Sequence, residues 1–127
     1  MMCRQRFWIV TGGVFGFLGV ALGAFGAHGL KAHLTPEMIE IFKTGVLYQL
    51  IHSVVILAVG LAGINKFYKS AFIFSIGIIL FSFSLYIYSV TSITFFALIT
   101  PIGGLAFLIG WLFLIIAGFK FRSGTLN

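Results

Sequence analysis

Charge is scarce in this chain: 8% of its 127 residues are Asp, Glu, Lys or Arg, against about 25% in an ordinary soluble domain. With 61% hydrophobic residues and a mean hydropathy of +1.18, it has too little polar surface to face water, and a soluble fold is excluded. Only two residues are acidic, Glu37 and Glu40, and no Asp, Glu, Lys or Arg falls inside the long apolar runs. That absence argues against a carboxylate-coupled antiporter and against a voltage sensor, and leaves histidine alone for any proton coupling. The one cysteine, Cys3, excludes an internal disulfide. It lies near the membrane edge, where acylation is open to it. No cysteine pair and no HExxH pattern is present, so the sequence carries no recognisable zinc motif.

What remains is apolar sequence punctuated by basic residues. The formal net charge is +6, but the basic residues stand at the ends of apolar runs, where they orient helices and meet anionic headgroups. No basic cluster has a folded surface to carry it, so nucleic acid is not an expected partner.

Four runs are each close to the roughly 20 residues needed to cross a bilayer. They predict an all-α, integral membrane bundle of four transmembrane helices, forming a single domain over residues 1–127 with spans near 7–27, 44–64, 70–90 and 101–119. The first run follows Arg4 and Arg6 and has small residues near its end, like a signal peptide. It is longer than the usual apolar core of one and reads as the first membrane helix. Thr35 and Pro36 suit a helix cap and first turn. From there Met38, Ile39, Ile41 and Phe42 alternate with Glu37, Glu40 and Lys43, the pattern of a short amphipathic segment at the interface, leading into the second span. Residues 91–100 read as an uncharged link, with Pro101 opening the fourth helix. With four spans, Arg4, Arg6, Lys66, Lys69, Lys120 and Arg122 share a side, and Lys31 and Lys43 take the other, which predicts cytoplasmic N- and C-termini.

Gly12, Gly16, Gly19, Gly23 and Gly26 are spaced four, three, four and three apart, so they share one face of the first helix. Such a stripe lets another helix approach closely, or offers a smooth groove to a lipid chain. Gly103, Gly110 and Ala117 in the fourth span suggest the opposing surface. In the second span His52 shares a face with Gly45, Tyr48, Gln49 and Ile56. Polar groups in hydrocarbon are costly unless they find partners inside the bundle, so this face is expected to point inward. Its imidazole is either a neutral, hydrogen-bonded structural group or a ligand or proton site. His28 sits among glycines at the outer end of the first helix. His33, Glu37 and Glu40 could line one side of the interfacial segment as a zinc or iron set, although Pro36 disfavours helix before it; the alternative is a solvated polar loop. Ser75, Ser82 and Ser89 recur every seven residues with Tyr86 on the same broad face, a pattern that usually bonds back to the helix. No base or oxyanion pocket accompanies them, so no catalytic residues are assigned. Trp8 fits an aromatic belt, while Trp111, mid-span, is expected to pack inside.

The runs LGAFGAHGL at residues 22–30 and FKTGVLYQLIH at 42–52, with SLY at 84–86, TPIGG at 100–104 and GW at 110–111, resemble the signature of the YgdD/YwdK-like family of small bacterial membrane proteins. The likeness covers nearly the whole chain. Phe83 departs from it, standing where the family often has glycine. The resemblance implies a four-span protein of the bacterial inner membrane with no established activity, substrate or cofactor. It also falls on His28, Tyr48, Gln49, His52, Tyr86 and Trp111.

The expectation is therefore a non-enzymatic membrane protein that binds or passes a small molecule or lipid through an outward-facing cavity near His28 and His52, with ligand contacts from Tyr48, Gln49, Tyr86 and Trp111. No cofactor or metal is assigned. Membrane lipid, a small-molecule ligand and a second copy of the chain are the partners considered. One alternative is an accessory subunit of a membrane complex. Another is a metal or haem protein using histidines as axial ligands.

Overall fold

The computed structural model describes residues 2–122. Among these residues four helices are long and apolar enough to cross a membrane: α1 (Met2–Gly26), α2 (Pro36–Ala62), α3 (Asn65–Thr91) and α4 (Thr94–Phe119). They have 25, 27, 27 and 26 residues, so each exceeds the hydrocarbon thickness of a bilayer, which about 20 helical residues span. The ends extend into the headgroup region, where the charged residues lie.

Local chemistry sets the ends. Thr35 accepts a hydrogen bond from the Met38 amide at 3.2 Å, and Pro36 occupies the first turn of α2. The amphipathic stretch is the first two turns of this one helix, continuous with the span. Gly63 closes α2 with a left-handed φ of 68° that a side chain would resist. Residues 65–67 form a single 3₁₀ turn that leads directly into the rest of α3. Ser92 reverses the chain after α3 with φ 58°, and the Thr91 hydroxyl accepts from the Ile93 amide at 3.3 Å.

Pro101 does not open the fourth helix. α4 begins at Thr94, and Pro101 lies inside it. Phe95, Phe96, Leu98 and Ile99 are too apolar for a link exposed to water. In hydrocarbon their backbone groups are satisfied only in a helix, so the helix runs through the one amide position that proline leaves without a donor. α1 and α3 each carry a π-helical segment, Leu22–Gly26 and Ile78–Phe83.

The packing is set by glycine. A Cβ added at Gly12 would lie 2.6 Å from the Leu57 backbone nitrogen, and Gly16, Gly19, Gly23 and Gly26 face Ser53, Leu50, Val46 and Phe42 in turn. The first three steps along α1, of four, three and four residues, are matched by equal steps back along α2, and the last, of three, by four, the register of an antiparallel pair whose backbones nearly touch at Gly12. Gly103 and Gly110 lie against α3, at Phe81 and Phe74, and Gly77 of α3 receives Phe107. The fourth-helix glycines are therefore a seat for α3, not a surface opposing the α1 stripe. α2 and α3 form the buried centre around Ile56, Val59, Ala71, Phe74 and Ile78. α1 and α4 flank them, with only 11% and 17% of their most apolar stretches buried, against 44% and 39% for α2 and α3.

Candidate functional site, an aromatic groove around His52

Because α2 begins at Pro36, His52 sits near the middle of the helix, not two turns from its end. It is buried between α2, α3 and α4. Its Nδ1 lies 2.7 Å from the Tyr48 carbonyl, which can only accept, and its Nε2 lies 3.1 Å from Trp111 Nε1, whose N–H can only donate. The two bonds together require the neutral imidazole with its proton on Nδ1. The ring stacks on Phe107 at 3.8 Å and 9°, and Phe74 closes another side at 5.2 Å.

Gln49 turns the other way, toward α1 and α3. Its Nε2 donates to the Phe15 carbonyl at 2.8 Å, and its Oε1 accepts from the Tyr86 hydroxyl at 2.6 Å. A third polar link joins α3 to α4, with Ser84 and Thr100 hydroxyls 2.7 Å apart. These bonds tie α1, α2, α3 and α4 together in the region where no water competes for them. Ser75 and Ser89 bond back to the carbonyls of Ala71 and Tyr86. Ser82, in the π segment, has a buried hydroxyl with no partner among the described residues.

Beside His52 is a cavity of about 520 Å³ whose walls include Tyr48, Phe81, Pro101, Gly104, Phe107 and Trp111. These residues lie near the middle of their helices. Tyr48 and Trp111 are 39% and 40% exposed, as are Leu105 and Leu108 beside them at 57% and 69%. The groove thus opens sideways, through the face that meets hydrocarbon, with α3 as its floor between α2 and α4.

The structure brings Tyr48, His52 and Trp111 to this groove and Gln49 and Tyr86 to the adjoining polar bridge. It does not bring His28. That residue is exposed in the single helical turn, Ala27–Gly29, that follows α1, just beyond Gly26, which packs on Phe42, about 15 Å of helix before His52 at 1.5 Å per residue. The groove does not have His28 among its walls, so the expectation of one outward-facing cavity near both histidines draws no support from it. Trp8 stays near the basic end of α1 but is 8% exposed and packs on Tyr68 at 6.4 Å, while Trp111, expected to pack inside, is 40% exposed. His33 and Glu37 are exposed, and Glu40 pairs with Lys43 at 3.0 Å. Among the described residues no three His, Cys, Asp or Glu side chains gather where they could hold a metal ion. Phe74, Phe81 and Phe107, which shape the groove, carried no distinguishing signal in a chain with 16 phenylalanines. Phe83 packs its ring near Phe15 and Tyr86, at 6.4 and 6.0 Å.

Residues 22–104, which hold the α1 stripe's end, the Tyr48–His52 face and Pro101, match the profile of a family described as Protein of unknown function (DUF423). The chain belongs to this family. It is 40% identical to the UPF0382 membrane protein YwdK of Bacillus subtilis over 92% of this chain and 99% of that protein. It is 45% identical to a UPF0382 membrane protein of Haemophilus influenzae, over 85% and 90% of the two chains. The UPF0382 inner membrane protein YgdD of Escherichia coli is 34% identical, over 93% of each. No solved structure matches the chain. Four apolar helices in a family of membrane proteins make this an integral membrane protein.

Proposed function

We propose that this protein is a non-enzymatic component of the bacterial cytoplasmic membrane that binds a small hydrophobic molecule or a lipid chain in the lateral groove beside His52. The observation that carries the reading is the groove itself: about 520 Å³ of aromatic-walled space at mid-height of the helices, within the range of small-molecule sites and edged by a few polar groups. An occupant enters from the hydrocarbon, without crossing an interface. The Tyr48 phenol is the polar group available to orient it, since both nitrogens of His52 are engaged by Tyr48 and Trp111. The same engagement weighs against His52 as an axial ligand, which would have to give up one of those bonds.

The test is native mass spectrometry on protein extracted gently from its own membrane. Gly104 lines the groove, and its nearest neighbour is the Phe81 ring at 3.8 Å, so Gly104→Leu fills the space without striking backbone. The wild type is expected to retain a discrete mass that Gly104→Leu loses. A wild type carrying only bulk lipid, or a mass that survives the substitution, refutes the proposal.

A second reading, an accessory subunit of a membrane complex or homo-oligomer, draws support from the polar residues: His52, Gln49 and Tyr86 all make their hydrogen bonds within the protein. Crosslinking in native membranes that recovers only monomer counts against it.

A further inference from the structure

A separate cavity lies at the other flank of the molecule, between the first turns of α1 and the start of α3. It has a volume of about 510 Å³, and Arg4, Phe7, Trp8, Tyr68, Lys69 and Phe72 are among its walls. The charges and the rings are layered. Arg4 and Lys69 sit at the helix ends, and Phe7, Trp8 and Phe72 lie about one turn, or 5 Å, deeper. Trp8 forms the firm part of the floor, fixed edge-on to Phe7 at 4.9 Å and against Tyr68 at 6.4 Å.

Both acidic side chains of the protein, Glu37 and Glu40, belong to α2's first turns at the opposite end. Arg4 and Lys69 therefore have no side-chain carboxylate near them. Lys69 instead rests its ammonium over the Phe113 ring of α4 at 5.2 Å, a contact outside the cavity that it exchanges for the phosphate when a lipid binds. Two cations at headgroup depth above an aromatic floor at acyl-chain depth match the layering of one lipid: phosphate above, chain below.

We propose that this cavity is a binding site for a single anionic glycerophospholipid, its phosphate held between Arg4 and Lys69 and one acyl chain lying on Phe7, Trp8 and Phe72. This site is independent of the groove at His52. The charge pattern selects the headgroup, because a zwitterionic lipid brings its own cation to a place already holding two.

Trp8 serves as the reporter. The protein is reconstituted in phosphatidylcholine bilayers doped with dibrominated phosphatidylglycerol or, at the same mole fraction, with dibrominated phosphatidylcholine, and tryptophan quenching is recorded. The Trp111→Phe background isolates Trp8, and the series is repeated with both tryptophans so that a defect of that background does not decide the result. The brominated anionic lipid is expected to quench more strongly, with each of Arg4→Gln and Lys69→Gln weakening its selective binding about fivefold, the weight of one basic residue at an anionic surface. Arg6→Gln/Lys66→Gln, which removes equal charge from the same end outside the cavity, is expected to leave the selectivity in place. Equal quenching by the two lipids overturns the proposal. So does selectivity that survives Arg4→Gln/Lys69→Gln, or that Arg6→Gln/Lys66→Gln abolishes to the same degree, which would assign it to diffuse surface charge.

Discussion

His52 illustrates how two neighbours can dictate a proton's position. A carbonyl below and an indole N–H above leave one arrangement, Nδ1–H donating to Tyr48 and Nε2 accepting from Trp111. ¹⁵N spectroscopy of labelled histidine in membranes is expected to show a neutral ring protonated at Nδ1, and a resonance pattern of the Nε2–H tautomer would contradict the geometry. Trp111→Phe removes the donor while keeping an aromatic ring. Its expected cost is about 0.6–2 kcal/mol, the range of interhelical hydrogen bonds in membranes. His52→Ala also removes the ring stacked on Phe107 and is expected to cost more, about 2–5 kcal/mol, by leaving a cavity. Reversible unfolding in mixed micelles measures both, and equal stabilities would show that the bond and the stack contribute nothing. That Gln49 and His52 point inward was legible in the sequence, because polar groups in hydrocarbon need partners, whereas Tyr48, expected on the same inward face, reaches the surface at 39% exposure. The partners were not legible, since Trp111 and Phe15 come from other helices and nothing local selects them.

Glycine does for the helices what hydrogen bonds do for the side chains. In α1, Gly12 and Gly13 are adjacent yet opposite in consequence: a Cβ at Gly12 meets the Leu57 backbone at 2.6 Å, and one at Gly13 meets nothing within 4 Å. Gly12→Ala is therefore expected to push α1 off α2 and cost about 1–3 kcal/mol, as overpacking does. Gly13→Ala is expected to stabilise by about 0.5–1 kcal/mol through helix propensity alone. Thermal unfolding of the two variants in detergent checks this, and equal shifts would mean that α1 does not seat on that stripe. The stripe's spacing could be read directly from the chain, and so could the cap at Thr35 and Pro36. The start of α4 could not. Pro101 looks like a helix opener by local rules, and the requirement that every backbone group in hydrocarbon be satisfied outweighs them, carrying the helix back to Thr94.

Over the whole molecule, the ends of the helices sort the charges. Gln5 donates to the Leu61 carbonyl at 3.3 Å, and Lys66 donates to the Lys120 carbonyl at 3.4 Å, so the N-terminal turns of α1, the α2–α3 turn and the end of α4 meet at one basic end. The opposite end holds His28, His33, both glutamates and the α3–α4 turn. By the excess of Lys and Arg, the basic end is expected to be cytoplasmic. A phosphatase fused to the C-terminus should be inactive, and one inserted between α1 and α2 should be active. The reverse pattern would place the groove and the basic cavity in an inverted molecule. The sequence alone determined the number of spans, their antiparallel order and the division of charge between ends, because burying apolar residues in a bilayer depends only on composition and length along the chain. Tertiary structure decided where the space is. It set His28 apart from His52, exposed Trp111 while burying Trp8, and opened one groove sideways at mid-height and one cavity at the basic end. Those outcomes depend on which helix faces which, and that is settled by the fit of glycines against side chains from elsewhere in the chain.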